Sequence, residues 1–150
     1  MILPDFKAFP HAGRILGIDW GMRRIGVAVS DPSQDFAFVR PAIVMGRMDK
    51  SHADAVLRVA TDENVVGIVV GLPVRSDGTE SETTVHVRRF IDDLAGMTDL
   101  PICTISENLT SFAAQAEMGR VRVRDLKEKL DSESARLILE NAMAMIKRAL

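Results

Sequence analysis

At 150 residues the chain suits one domain with a real hydrophobic core, and it leaves no room for two substantial lobes. With 47% hydrophobic and 27% charged residues and a net charge of −2, it is neither a disordered chain nor a strongly basic one. Any contact with nucleic-acid phosphate must therefore use a local patch.

The N-terminus, Met1-Ile2-Leu3-Pro4-Asp5-Phe6, has neither the basic start nor the apolar length of a signal peptide, and no later run could span a bilayer. A cytoplasmic location with no membrane partner is expected. Residues 1–13 read as an apolar extension packed on a single domain of residues 14–150.

Arg14 to Trp20 and Ile25 to Ser30 are β-rich runs joined by Gly21-Met22-Arg23-Arg24, the pattern of an antiparallel hairpin with a slightly long turn. Ala37 to Val44 is a third strand. Its Pro41 cannot donate to a ladder and predicts a sheet edge. From Asp49 to Glu63, Ala53, Val56, Leu57 and Ala60 recur at helical spacing. Val65 to Val70 is so continuously apolar that it fits a strand covered on both faces.

Thr79-Glu80-Ser81-Glu82 matches a capping box and opens a second helix, striped by Val87, Ile91, Leu94 and Ala95 and ended by Gly96. Leu100 to Ile105 is a fifth strand, in which the lone Cys103 reads as core, with no partner for an internal disulfide. Thr110 or Ser111 could cap a short helix through Met118. A charged connector, Arg120 to Lys129, leads to a last helix from about Asp131 to Lys147, striped by Ala135, Ile138, Leu139, Ala142 and Ile146.

The order βββ-α-β-α-β-α-α is that of a meander followed by right-handed crossovers, which builds a mixed α/β sheet with helices on both faces. The expected strand order is 3-2-1-4-5. Strands one, four and five are then parallel, and their carboxyl ends open on the edge where α/β proteins hold ligands.

Acids collect there. Asp19 ends strand one, Asp77 follows strand four and Glu107 follows strand five, while Asp131 continues the last helix's stripe one turn ahead of Ala135. Each has an ordinary explanation: turn formation for Asp19, helix-end electrostatics for Glu107, N-capping for Asp131. Together, Asp19, Glu107 and Asp131 would repel one another unless a hard divalent cation lay between them, and oxygen ligands of this kind suit Mg²⁺ or Mn²⁺ in phosphodiester hydrolysis. His11, His52 and His86 lack metal-ligand spacing and read as surface or helix residues. Basic residues near these acids could guide phosphate: Arg23 and Arg24 beside Asp19, and Arg120, Arg122, Arg124 and Lys127 just before Asp131. Trp20 reads either as a core or rim contact or as a stacking platform for a base.

The run Gly17-Ile18-Asp19-Trp20-Gly21-Met22-Arg23-Arg24-Ile25-Gly26-Val27-Ala28-Val29-Ser30-Asp31 resembles the opening motif of the YqgF family, also called RuvX-like, of Holliday-junction resolvases and pre-16S rRNA nucleases. Val69-Val70-Gly71-Leu72-Pro73, with Asp77-Gly78-Thr79-Glu80, resembles its central loop. Leu130-Asp131-Ser132-Glu133-Ser134-Ala135 is similar to its C-terminal motif. The resemblance, over residues 14–147, implies an RNase H-like fold and metal-dependent cleavage of pre-rRNA or branched DNA by a monomer or homodimer. It implies Asp19, Glu107 and Asp131 as the catalytic, metal-holding acids.

Two positions depart from that pattern. Ser106 and Asn108 stand where the family usually has Asp and Arg, so a weakly active or inactive nucleic-acid-binding module is the alternative. A fragment of an actin-like ATPase or sugar kinase shares the Gly-x-Asp-x-Gly turn, but Met22 stands where those proteins place a phosphate-binding Thr or Ser, and a second lobe is missing.

Overall fold

The structure is a computed structural model describing residues 1–46, 51–74, 77, 79–107 and 123–150, with side chains in the last segment from Glu133 onward. Five strands form one sheet in the order β3-β2-β1-β4-β5: β1 (Ile15–Asp19), β2 (Arg24–Ser30), β3 (Ala37–Val44), β4 (Gly67–Pro73) and β5 (Ile102–Glu107). The order expected from the sequence is the one observed. β1 pairs antiparallel with β2 and parallel with β4, and β4 pairs parallel with β5. Pro41 lies in the edge strand β3, where a missing N–H costs no ladder bond.

Among the described residues three helices cover the sheet: α1 (His52–Asp62), α2 (Glu82–Ala95) and α3 (Val123–Arg148). Strand alternation sorts the apolar residues into two layers. Leu16, Ile18, Ile25, Val27, Ile68, Val70 and Ile102 pack on Val56 of α1 and Val87 and Leu94 of α2. On the other face, Ile15, Ala28, Val69 and Cys103 pack on Ala135, Ile138, Leu139, Ala142 and Ile146 of α3.

Residues 1–9 join this second layer. Phe6 and Phe9 are buried edge-to-face against each other, and a Cβ on Gly67 would meet the Phe9 ring at 2.6 Å. Ile2 bridges Ile102 in parallel, so the extension lies beside the start of β5. Cys103 is buried below it, its thiol pushed up to about 11 by desolvation and then by Asp5, and its Sγ lies 3.0 Å from the Asp5 carbonyl. That is core chemistry.

Strands β4 and β5 each lie two to three residues later than expected, and the starts of α2 and α3 differ as well. The capping box of α2 is Ser81 with Thr84, because Asp77 Oδ1 already accepts both the N–H and the hydroxyl of Thr79. Helix α3 begins at Val123, so residues 123–129 are helix rather than connector, and Asp131 stands two turns inside it. N-capping by Asp131 is thereby excluded. The short helix expected over 110–118 lies outside the described residues, as do Arg120 and Arg122. No helix among the described residues is long and apolar enough to cross a membrane.

One buried hydroxyl ties the hairpin base. Ser30 Oγ accepts the Ile15 N–H at 2.9 Å and donates to the Asp31 carbonyl at 2.9 Å, fully enclosed. Ser30→Ala strands that N–H, and a loss of about 1–3 kcal/mol is expected in the denaturant-unfolding free energy.

Candidate active site

The α3 side of the sheet's carboxyl edge is built by alternation and by two glycines. Ile15, Gly17 and Asp19 face the same way on β1. A Cβ on Gly17 would stand 2.9 Å from Leu139 Cβ and 3.0 Å from the Ala135 carbonyl, so its bare backbone is what lets α3 lie close to the strand leading to Asp19. Asp19 itself is half-buried at the strand's end.

Glu107 closes β5 as its last residue, two residues beyond the strand end at Ile105 that the sequence suggests. It lies opposite Pro73 in the parallel register, and its carbonyl accepts the Val74 N–H at 3.2 Å. The end of β4 is further fixed by Thr84, whose Oγ1 donates to the Pro73 carbonyl at 2.6 Å. The carboxylate of Glu107 turns toward Gly71: a Cβ there would lie 3.1 Å from Glu107 Oε2 and 3.0 Å from Ile138 Cγ1. Gly71 therefore floors a space between β1 and β5 that any side chain would fill.

Burial dominates the electrostatics of that space. Desolvation pushes the Glu107 carboxyl up to about 7, and its Oε1 is buried with no hydrogen-bond partner among the described residues. Arg24 Nη1 is likewise buried with no partner among the described residues. Arg24 opens β2 and pairs with Val44, whereas Arg23 is exposed in the preceding turn.

The third predicted acid enters by position. Residue 131 precedes Ala135 and Ile138 by one and two turns of α3, and both of those side chains are buried against the sheet. The side chains of Asp131, Arg124 and Lys127 lie outside the described residues. Among the described residues, no three of His, Cys, Asp and Glu come together as a metal site. Asp77 faces its own loop, its carboxyl held below the usual range by the Thr79 hydroxyl and then by the Thr79 amide.

His52 and His86 are half-buried on α1 and α2, whereas His11 is exposed. The histidines take helix and surface positions, as expected. Trp20 packs against the rings of both His52 and His86 on the sheet face opposite Asp19. That arrangement of rings across three elements was not visible in the sequence.

Comparison with known proteins agrees with the fold and assigns the family. A protein of Maridesulfovibrio salexigens named "Putative pre-16S rRNA nuclease" is 41% identical over 134 residues, covering 87% of this chain and 98% of that relative. A protein of the same name from Bradyrhizobium sp. (strain ORS 278) is 36% identical over 147 residues, covering 95% and 91%. T. thermophilus RuvC, solved in complex with Holliday junction substrate, superimposes with a TM-score of 0.53 at 11% identity over 91% of this chain and 97% of that one, a likeness of RNase H-like fold. Residues 13–145 match the family described as RuvX, Holliday junction resolvase, and the chain belongs to that family.

Proposed function

We propose that the chain is a metal-dependent nuclease that hydrolyses phosphodiester bonds in structured nucleic acid, either a 16S rRNA precursor or a branched DNA. The relatives' names supply the reaction class. The observation that carries the reading is the buried Glu107 carboxylate, with one oxygen unpartnered and the other over bare Gly71, on the sheet face that carries Asp19. A carboxylate desolvated in this way wants a cation, and an all-oxygen donor set fits Mg²⁺ or Mn²⁺.

Asp19, Glu107 and Asp131 would hold the metal. When bound, it would supply an activated water and charge stabilisation at the phosphate. The protein's own contribution is positional. Asp19 and Glu107 are fixed by rigid parallel strands, and Gly71 keeps the floor between them open. Arg24, at the start of β2, would offer a guanidinium to a substrate phosphate.

The test is cleavage by the full chain of a pre-16S rRNA 5′ segment and of a four-way DNA junction, in Mn²⁺, in Mg²⁺ and in EDTA. Cleavage that needs metal is the expected result. Binding with no cleavage of either substrate in either metal would replace the nuclease with a binding module.

A further inference from the structure

A second pocket lies on the opposite face of the sheet from Asp19. Trp20 directly follows Asp19, and because successive strand residues face opposite sides, its indole enters the layer of α1 and α2. There the His86 ring lies 5.9 Å from it, only 11° from parallel, and the His52 ring lies 5.2 Å from it at 32°. His52 is anchored by its Nε2, 2.9 Å from the Met22 carbonyl. A pocket of about 130 Å³ opens beside these rings, lined also by Arg89, Phe90 and Asp93. His86, Arg89, Phe90 and Asp93 recur at i, i+3, i+4 and i+7, so one face of α2 is given over to it.

Three properties define what fits. The volume is well below the roughly 300 Å³ at which pockets enclose a whole drug-sized ligand, so it takes one flat group. The Trp20 and His86 rings already stack on each other, so a flat group extends that stack from the pocket side rather than entering between the rings. The exposed Arg89 is matched one turn on by the exposed Asp93, so the mouth gives no net attraction for an anion.

We propose that this pocket receives one unpaired nucleobase of the substrate, stacked on the Trp20, His52 and His86 cluster, while the phosphates of the same strand stay outside. The inference rests on the nuclease reading and adds a specificity subsite to it. Because Asp19 and Trp20 are consecutive, the strand that presents a phosphate to Asp19 passes over the sheet edge and delivers a nearby base to the other face. A paired base is held in its helix and cannot enter, so the pocket selects single-stranded or frayed nucleic acid.

Trp20 is the single tryptophan, so its fluorescence reports on this pocket alone. The experiment titrates the full chain in EDTA with single-stranded RNA, single-stranded DNA, the corresponding duplexes, and a single strand carrying abasic units, following Trp20 emission. Anisotropy of labelled copies gives affinity in parallel. Base-bearing single strands are expected to quench Trp20, with duplex and abasic strands binding without quenching. The RNA and DNA arms distinguish the source of the base. Trp20→Leu is expected to weaken single-strand binding about tenfold, the scale of one lost stack, with Trp20→Phe restoring most of it. The exposed Arg89 offsets Asp93 at the mouth, so Arg89→Ala leaves a net negative charge facing the strand and should weaken binding severalfold. Binding that leaves Trp20 emission unchanged, or equal quenching by abasic strands, overturns the subsite and leaves the nuclease reading standing. Absence of binding to every probe overturns the subsite as well, and the nuclease reading stands or falls separately on metal-dependent cleavage of the precursor and junction substrates.

Discussion

Glu107→Gln is expected to stabilise the metal-free protein at pH 8 while lowering metal-dependent cleavage by about 10²–10³-fold, the scale of losing one charge-stabilising group. The stability half follows from linkage. The carboxyl stands at about 7 in the fold against an ordinary 4.5. Below pH 4.5 both folded and unfolded chains hold the proton, and Glu107 costs nothing. Between 4.5 and 7 the unfolded chain releases it and the folded chain does not, so stability falls as pH rises. Above 7 the full cost remains, about 3 kcal/mol as an upper bound. Thermal melts from pH 4 to 8 should therefore show wild type declining relative to a flatter Glu107→Gln, with Mg²⁺ or Mn²⁺ recovering wild type at pH 8 and not the variant. Asp19→Asn should match the loss of cleavage. A wild-type profile parallel to that of Glu107→Gln, or no rescue by either metal, would count against a buried carboxylate waiting for a cation.

Gly71→Ala tests the floor of the same space. The new methyl would stand 3.0 Å from Ile138 Cγ1, inside contact distance of its Cδ1, and 3.1 Å from Glu107 Oε2. Ile138 is almost wholly enclosed and has nowhere to rotate without moving α3. Overpacking of this kind costs about 1–3 kcal/mol. At about 2–4 °C per kcal/mol in a chain of this size, the melting midpoint should drop by several degrees. Cleavage should fall further than stability does, because the methyl also displaces the carboxylate. Gly96→Ala is the control: its Cβ meets nothing nearer than 3.5 Å, and the backbone there is right-handed helical. A midpoint for Gly71→Ala within a degree of wild type would show that the space is not built as described.

What was legible in the sequence was whatever periodicity encodes. The buried β4 run, the stripe of α1 and the proline of β3 each carry their partners in their own pattern. The sequence starts helix α3 eight residues too late because Arg124, Asp125, Lys127, Glu128 and Lys129 interrupt any apolar stripe at its start. The capping box of α2 was misplaced by two residues because two candidate hydroxyls lay close together, and only the fold shows Thr79 already committed to Asp77. The acids Asp19 and Glu107 were visible as polar residues at strand ends. The isolation of Glu107 was not, since it depends on Gly71, which parallel pairing brings beside β5 from a distant stretch of chain. The cluster of Trp20, His52 and His86 escaped for the same reason: three elements supply one ring each.

The bridge between Ile2 and Ile102 also sets a clock. Ribosomes add about 5–20 residues per second, so the first residues wait on the order of 5–20 s for the strand that receives them. Asp19 waits almost as long for Glu107. A half-made chain thus holds one carboxylate on a hairpin and no second one, and it emerges beside ribosomal RNA with its cutting edge still unassembled.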